Sequence, residues 1–148
     1  MTYLLDVNVL IALIDPAHVA HEDAHAWFGA TGHVSWATCP ITENGVLRIL
    51  GNPKYPNSPG SPAVVAGIVR RLRGLPGHRF WSEEFSLVGS DRIDASRILT
   101  AGQVTDTYLL ALAHVHGGRL ATFDRRLAVA PVQRGGEALH LIPARTAM

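Results

Sequence analysis

The sequence predicts an α/β fold in which a mostly parallel sheet is covered by helices on both faces. Short apolar segments with strand character alternate with segments of helical periodicity, and glycine or proline often separates them. Strands that alternate with helices are joined by crossovers, so neighbouring strands run parallel. The chain has 148 residues, 47% hydrophobic and 17% charged, and these values predict a single domain over residues 1–148.

The predicted elements follow one another along the whole chain. Strands are predicted where short apolar runs are bounded by turn residues, at 2–5, 33–37, 78–81, 119–123 and 139–142. Helices are predicted where apolar residues recur at spacings of three and four, at 7–14, 17–28, 39–50, 63–75, 93–99 and 104–116. Residues 52–62 are rich in glycine and proline and are predicted to form a surface loop.

The third predicted helix carries two local features that can be checked in the structure. Thr38 is predicted to be its N-cap, with Pro40 in the first turn. Gly45 lies inside this helix, where glycine costs about 1 kcal/mol relative to alanine. We therefore expect the backbone at Gly45 to approach another element closely.

The first thirteen residues are almost wholly apolar except for Asp6 and Asn8. An ionised carboxylate in such a run costs several kcal/mol, on the order of the buried-charge penalty, unless a metal, a partner or solvent compensates it. The same run carries Asp6 and is interrupted by Asp15 and Pro16, so it fits neither a signal peptide nor a membrane span. We therefore expect no membrane association.

Composition restricts the functional classes only weakly. Cys39 is the single cysteine, which excludes an internal disulfide and favours a cytoplasmic location. The formal net charge is +1, and Lys54 is the only lysine among thirteen basic residues, so the rest are arginine. Arginine favours bidentate phosphate contacts, but a nearly neutral chain does not by itself indicate nucleic-acid binding.

The acidic residues fall into two groups. Eight lie in polar segments or at turns, where a solvated face or a helix cap is expected: Asp15, Glu22, Asp23, Glu83, Glu84, Asp91, Asp94 and Glu137. The other four lie on or beside apolar faces and near the ends of predicted elements: Asp6, Glu43, Asp106 and Asp124. Because Asp6 and Asp124 follow predicted parallel strands, both are expected at the carboxyl edge of the sheet, where ligands bind in such folds.

Four carboxylates that converge on one crevice repel one another unless cations are present. Mg²⁺ or Mn²⁺ prefers a few carboxylates together with water and phosphate oxygens. One or two such ions would activate water and stabilise the leaving oxygen of a phosphodiester. Any one of these acids taken alone is explained as well by a cap or by a salt bridge with an arginine, so the metal hypothesis depends on the set.

Four motifs in order give the chain a resemblance to a known family. They are Leu5-Asp6-Val7-Asn8-Val9-Leu10, Ile41-Thr42-Glu43-Asn44-Gly45-Val46-Leu47, Thr105-Asp106-Thr107 and Ala121-Thr122-Phe123-Asp124. With these motifs the chain resembles the PIN-domain ribonucleases, and more narrowly the VapC-type toxins of bacterial toxin–antitoxin pairs. The resemblance covers nearly the whole length of the chain.

The resemblance implies a Rossmann-like PIN domain with a five-stranded, mostly parallel sheet. It implies that four acids are the catalytic Mg²⁺ ligands: Asp6, Glu43, Asp106 and Asp124. Asn8 and Thr122 would be polar supports of the first and last aspartates. It further implies endonucleolytic cleavage of RNA, of the tRNA or ribosomal RNA class, inhibition by a VapB-type antitoxin, and a homodimer.

One position departs from the family pattern. Many members carry a further acid two residues after the last aspartate, whereas this chain has Arg126 there, preceded by Arg125. The departure argues against a complete second metal site. It makes Arg125 and Arg126 candidates for contact with RNA phosphates, although two solvated residues in the first turn of a helix would explain them equally well.

Two other functions compete with the nuclease hypothesis. The segment from His21 to His25 satisfies the H-E-x-x-H motif of zinc peptidases, with Glu22 as the acid, although a chain with eight histidines matches it easily by chance. A non-catalytic Mg²⁺-binding or regulatory domain is the other alternative. The phosphatases with a D-x-D-x-T motif fit poorly, because Asn8 replaces the second acid and Lys54 lies in the predicted loop.

Overall fold

The computed structural model describes residues 1–82 and 85–145, and its five strands form one parallel sheet. The strands are β1 (Tyr3–Leu5), β2 (Trp36–Thr38), β3 (His78–Phe80), β4 (Arg119–Thr122) and β5 (Leu139–Leu141). Their order across the sheet is β3-β2-β1-β4-β5, and every neighbouring pair is parallel. The predicted α/β class and the five-stranded sheet are confirmed.

Five α-helices connect or flank these strands in the described ranges. They are α1 (Val7–Ile14), α2 (His21–Ala30), α3 (Pro40–Leu50), α4 (Pro62–Arg73) and α5 (Gln103–Val115). The predicted helix at 93–99 is wrong, since only a 3₁₀ turn forms there, at Ala95–Arg97. The two residues before this turn are extended instead: Ile93 forms an isolated β-bridge with Val132, and the Asp94 N–H donates to the Pro131 carbonyl. The predicted strand at 33–37 also begins too early, because Gly32–Val34 forms a 3₁₀ turn.

Both faces of the sheet are covered. Leu5 of β1 packs in a core cluster with residues of α1, α2, α3 and α4, whereas its neighbour Leu4 packs in a second cluster dominated by α5. Successive strand residues point to opposite faces, so these two clusters are the two faces of the sheet. The predicted coverage by helices on both sides is confirmed.

The local predictions for α3 have different outcomes. Thr38 is not its cap: it is the last residue of β2, and the N-cap is Cys39, whose N–H donates to the Thr42 hydroxyl at 3.0 Å. The close approach at Gly45 is confirmed, because a Cβ there would lie 2.8 Å from a methyl carbon of Val7 in α1. Glycine therefore lets α3 pack tightly against the first turn of α1.

Two acids expected at solvated or capping positions are buried. Asp15 ends α1 and is only 5% exposed, because the Tyr55 hydroxyl and the Asn57 amide donate to it from the 52–62 loop. Asp23 on α2 accepts a hydrogen bond from the backbone N–H of Arg145. Neither therefore lies on a solvated face, since distant segments fold over both, although Asp15 does stand at the C-cap of α1. Glu83 and Glu84 lie outside the described residues.

None of the helices in the described ranges has the length and apolar character required to cross a bilayer.

Candidate active site

Asp6 lies where β1 ends and α1 begins, at the carboxyl edge of the sheet. It is the N-cap of α1 and accepts a hydrogen bond from the Val7 N–H at 2.8 Å. Its other oxygen accepts from the Thr122 hydroxyl at 2.8 Å. Asp6 is only 7% exposed, so both carboxylate oxygens are held in a nearly solvent-free position. The apolar run that made Asp6 conspicuous in the sequence is therefore a buried strand followed by a buried helix.

Asp124 follows β4, the strand next to β1, and is linked to Asp6 through one hydroxyl group. The Thr122 hydroxyl that donates to Asp6 also accepts from the Asp124 N–H at 3.1 Å. The Asp124 Oδ1 accepts from the Arg126 N–H at 2.9 Å, which fixes the orientation of the carboxylate. Thr122 thus contacts both aspartates, whereas the exposed Asn8 makes no hydrogen bond to Asp6 in the described structure.

Asp106 lies in the first turn of α5 and is half-buried. Burial raises the pKa of its carboxyl, and the charges of Asp6 and Asp124 raise it further, to about 6. The pKa of Asp6 is raised as well: burial is the main cause, hydrogen bonds from Thr122 and Val7 oppose it, and Asp124 adds to the increase. The fold therefore brings these three carboxylates into one shared electrostatic field.

Glu43 lies in the first turn of α3 and has partners of its own. Its carboxylate accepts from the Thr38 hydroxyl at 2.7 Å and pairs with the Arg73 guanidinium of α4 at 3.4 Å. Thr38 also contacts the His78 Nε2 at 2.7 Å. Because the one hydroxyl proton of Thr38 goes to Glu43, the His78 Nε2 must be the donor in that second contact. Glu43 therefore has an ion-pair partner within the chain, whereas no ion pair is seen for Asp6, Asp106 or Asp124 among the described residues.

Sequence reasoning missed the two residues that contact Glu43, Thr38 and Arg73, and also His78, which contacts Thr38. Thr38 ends β2 just as the residue before Asp6 ends β1, so its position at the carboxyl edge was a usable signal. Arg73 gave no such signal, because its ion pair depends on how α4 packs against α3.

The donor chemistry of the three coupled aspartates fits a hard divalent cation. Such ions prefer carboxylate oxygens, and no lysine or arginine side chain forms an ion pair with Asp6, Asp106 or Asp124 in the described structure. A cation would also relieve the repulsion that adds to the raised pKa values of Asp6 and Asp106. Within residues 1–82 and 85–145, no three His, Cys, Asp or Glu side chains already stand close enough to hold one ion, so binding requires the carboxylates to move together.

Arg125 and Arg126 lie in a turn directly after Asp124, and their side chains are exposed. They are solvated, as the alternative explanation expected, but they lie in a turn and not in the first turn of a helix. Neither guanidinium pairs with an acid among the residues that the structure describes. Both line a cavity of about 420 Å³ beside Asp124.

The H-E-x-x-H segment lies on α2, as predicted, but its histidines make other contacts. The Nδ1 of His21 bonds to the Ala12 carbonyl at 2.7 Å, and the Nε2 of His25 bonds to the Leu13 carbonyl at 2.8 Å. These carbonyls belong to the last turns of α1, where the backbone needs donors. The pair therefore ties α2 to α1, and no third ligand joins it in the described ranges.

Comparison with known proteins agrees with this fold. The PIN domain family matches residues 3–132, so the chain belongs to the PIN-domain family. It is 46% identical to Ribonuclease VapC44 of Mycobacterium tuberculosis over 141 residues, which cover 95% of this chain and 98% of that protein.

Two further relatives of the same organism support a narrower placement. Ribonuclease VapC39 is 43% identical over 86% of this chain and 92% of its own length. Ribonuclease VapC38 is 40% identical over 94% of this chain and 96% of its own length. Within the PIN-domain family the chain is therefore of the VapC type, and the resemblance stated from its motifs is confirmed.

Proposed function

We propose that this chain is an Mg²⁺-dependent endoribonuclease toxin that cleaves cellular RNA of the tRNA or ribosomal RNA class. The coarser part of the proposal, a ribonuclease, follows from relatives that bear that name and match almost the full length of the chain. The observation that carries the metal dependence is the burial of Asp106 near Asp6 and Asp124: burial first, and then the charges of the other two aspartates, raise the pKa of Asp106 to about 6. Mn²⁺ is expected to substitute for Mg²⁺, since it also takes oxygen ligands.

The proposed ligands are Asp6, Asp106 and Asp124, with Glu43 as the fourth. A divalent ion bound there supplies an activated water and stabilises the leaving oxygen of the phosphodiester. The chain contributes orientation: the Thr122 hydroxyl and the Val7 N–H fix both oxygens of Asp6. The Arg126 N–H fixes one oxygen of Asp124 and leaves the other free. Glu43 must leave Arg73 if it is to join the other acids.

The partners belong to the same proposal. As a VapC-type chain it is expected to pair with a VapB-type antitoxin, to form a homodimer and to act on RNA in the cytoplasm. The full-length similarity to the VapC relatives supports this expectation.

The test compares RNA cleavage by the wild type and by Asp6→Asn, with and without a chelator. We expect the wild type to cleave RNA only when Mg²⁺ or Mn²⁺ is present. Asp6→Asn should abolish cleavage and leave the metal-free fold at least as stable, because it removes one of three repelling charges. Mapping RNA ends after brief expression of each protein identifies the cleaved molecules.

The matched control is Asp94→Asn, which makes the same chemical change at an exposed aspartate that pairs with Arg97. It should cleave as the wild type does. Full Mg²⁺-dependent cleavage by Asp6→Asn contradicts the assignment of the site. Binding of Mg²⁺ without cleavage of any RNA would favour the alternative of a regulatory domain.

A further inference from the structure

A cavity of about 420 Å³ opens directly beside Asp124, on the side of Arg125 and Arg126. Its other lining residues come from α1, from the turn before α2 and from the end of β4: Asn8, His18, Val19 and Phe123. The volume lies within the range of about 300–1,000 Å³ that is typical of small-molecule sites. The proposed nuclease mechanism uses Asp124 but gives no role to the other side chains of this lining.

The two arginines give the cavity a positive side. Their guanidinium groups are exposed and have no acidic partner in the described structure. Asp124 is the one acid in the lining, and one of its oxygens is already bonded to the Arg126 N–H. Guanidinium groups bind phosphate oxygens through two parallel hydrogen bonds, so this side of the cavity suits a phosphate group.

Two polar side chains on the opposite elements add hydrogen-bonding groups. The Nδ1 of His18 accepts from the Ala20 N–H at 3.0 Å, so in the neutral ring the proton lies on Nε2, which makes no hydrogen bond to any described residue. Asn8 offers an exposed amide with both donor and acceptor atoms. The cavity thus combines charged donors with neutral groups of mixed polarity, which match the edges of a base or the hydroxyls of a ribose.

The cavity also has an apolar surface. Val19 is 61% exposed, although valine usually prefers burial, and Phe123, which also lines the cavity, is nearly buried. Bases are commonly held against apolar and aromatic side chains in sites for single-stranded RNA. An acidic peptide would satisfy the arginines but would leave this apolar surface without a partner.

We propose that this cavity binds one nucleotide of the RNA strand adjacent to the cleaved phosphodiester, with its phosphate on Arg125 and Arg126 and its base against Val19. The inference rests on the proposed function, because Asp124 marks where cleavage takes place. It also explains Arg126 at the position where many family members carry an acid: the side chain there binds substrate.

The first experiment measures nucleotide binding without cleavage. Adenosine 5′-monophosphate and inorganic phosphate are titrated separately into the metal-free protein in the presence of a chelator, and binding is followed by NMR. The nucleotide should shift the methyl signals of Val19 and the ring signals of Phe123, whereas inorganic phosphate should shift only the signals of the two arginines. Equal affinity for both probes with unchanged Val19 signals would contradict a nucleotide site.

The variant for this experiment is Arg125→Gln with Arg126→Gln. It should weaken binding of the nucleotide about tenfold or more, as expected for the loss of hydrogen bonds to a charged group. The matched control is Arg48→Gln with Lys54→Gln, which removes the same charge from another exposed surface depression, on the last turn of α3 and the 52–62 loop. The control should bind the nucleotide within twofold of the wild type, and equal weakening by both variants would overturn the proposal.

The second experiment uses single-stranded RNA in the Asp6→Asn background. Affinity for RNA falls as salt rises, and the slope of log affinity against log salt should become less steep by about 0.7 when the two arginines are replaced. This is the value for one lost phosphate contact. An unchanged slope contradicts the proposal. Binding of a glutamate-rich peptide to this cavity as tightly as the nucleotide binds would also contradict it. If the nucleotide binds as expected but the wild type cleaves no RNA, the proposed function fails while the nucleotide site stands.

Discussion

At the carboxyl edge of the sheet, Asp6 and Asp124 beside β1 and β4 have different partners from Glu43 beside β2. On one side, neutral donors orient Asp6 and Asp124, and no arginine or lysine in the described structure offsets their charge. On the other side, Glu43 is paired with Arg73 and bonded to Thr38. The negative charges of Asp6 and Asp124 therefore stay available for an external cation, whereas the charge of Glu43 is neutralised by Arg73.

The strength of the Arg73 pair determines what this difference means for function. The Arg73 side chain is 41% exposed and also lies over the ring of Phe80 at 4.9 Å. Exposed ion pairs contribute only about 0–1 kcal/mol to stability. If a divalent ion binds as proposed, a further carboxylate ligand would displace Arg73 at small cost, so Glu43 stays in the proposed ligand set.

Among the substitutions that test this contrast, the largest effect is expected for Thr122→Val, which breaks the link between Asp6 and Asp124. The substitution removes the donor to Asp6 and the acceptor for the Asp124 N–H. Loss of such an orienting contact typically costs 10- to 100-fold in activity or metal affinity. Because Asp6 is buried, we also expect a loss of about 1–3 kcal/mol in the free energy of unfolding, measured by urea denaturation.

Thr38→Val is the matched control on the second side, since it removes the hydroxyl that contacts Glu43 and His78. It should reduce RNA cleavage less than Thr122→Val does. An equal or larger reduction would mean that the two sides contribute alike and that the contrast between them is wrong.

A smaller effect is expected in the pH dependence of stability, where Asp106 and Asp15 should have opposite signs. The pKa of Asp106 is raised to about 6, so its favourable contribution is present at low pH and is lost as the pH rises from about 4 to about 6. For Asp15, burial acts to raise the pKa, but hydrogen bonds from Tyr55, Asn57 and the Ala17 N–H outweigh it and lower the pKa. Its contribution is therefore present above about 4 and is lost as the pH falls further.

The two variants Asp106→Asn and Asp15→Asn separate these contributions. Urea denaturation in a chelator across pH 3 to 7 should show that the first variant removes the loss of stability between about pH 4 and pH 6. The second should remove the loss of stability below about pH 4. The same pH profile for both variants would refute the distinction between Asp106, which lies near other acids, and Asp15, which accepts hydrogen bonds from neutral donors.

The smallest effect is expected for Arg73→Gln, which frees Glu43. Stability should change by no more than about 1 kcal/mol. The Mg²⁺ concentration for half-maximal RNA cleavage should fall, because Glu43 no longer has to leave an arginine. Arg97→Gln, which removes the exposed partner of Asp94, should leave that concentration unchanged. A higher Mg²⁺ requirement in Arg73→Gln would show that the ion pair supports the proposed site.

The sequence revealed what depends on local pattern. A carboxylate at the end of an apolar run stands out, so Asp6 and Asp124 were predictable as residues that follow strands, and the structure brings Asp106 to them. The role of these acids and of Glu43 as metal ligands stays a prediction. The alternation of strands and helices likewise predicted the parallel sheet and the two covered faces.

What the sequence could not reveal depends on contacts between distant segments. Asp15 looked like a solvated turn residue because its donors, Tyr55 and Asn57, lie about forty positions away. The helix predicted at 93–99 fails because Ile93 bridges to Val132. Local propensity has no access to such partners, and tertiary contacts override it when they satisfy the backbone better.

The most direct test of the coupled acidic site is the pKa of the Asp106 carboxyl, measured by NMR with and without Mg²⁺. Without metal it should titrate near 6, because burial and the charges of Asp6 and Asp124 disfavour its ionised form. Saturating Mg²⁺ should lower the pKa by at least one unit, since a bound cation favours the carboxylate. A metal-free pKa close to the ordinary value of about 3.9, or a raised value that Mg²⁺ leaves unchanged, would contradict the account.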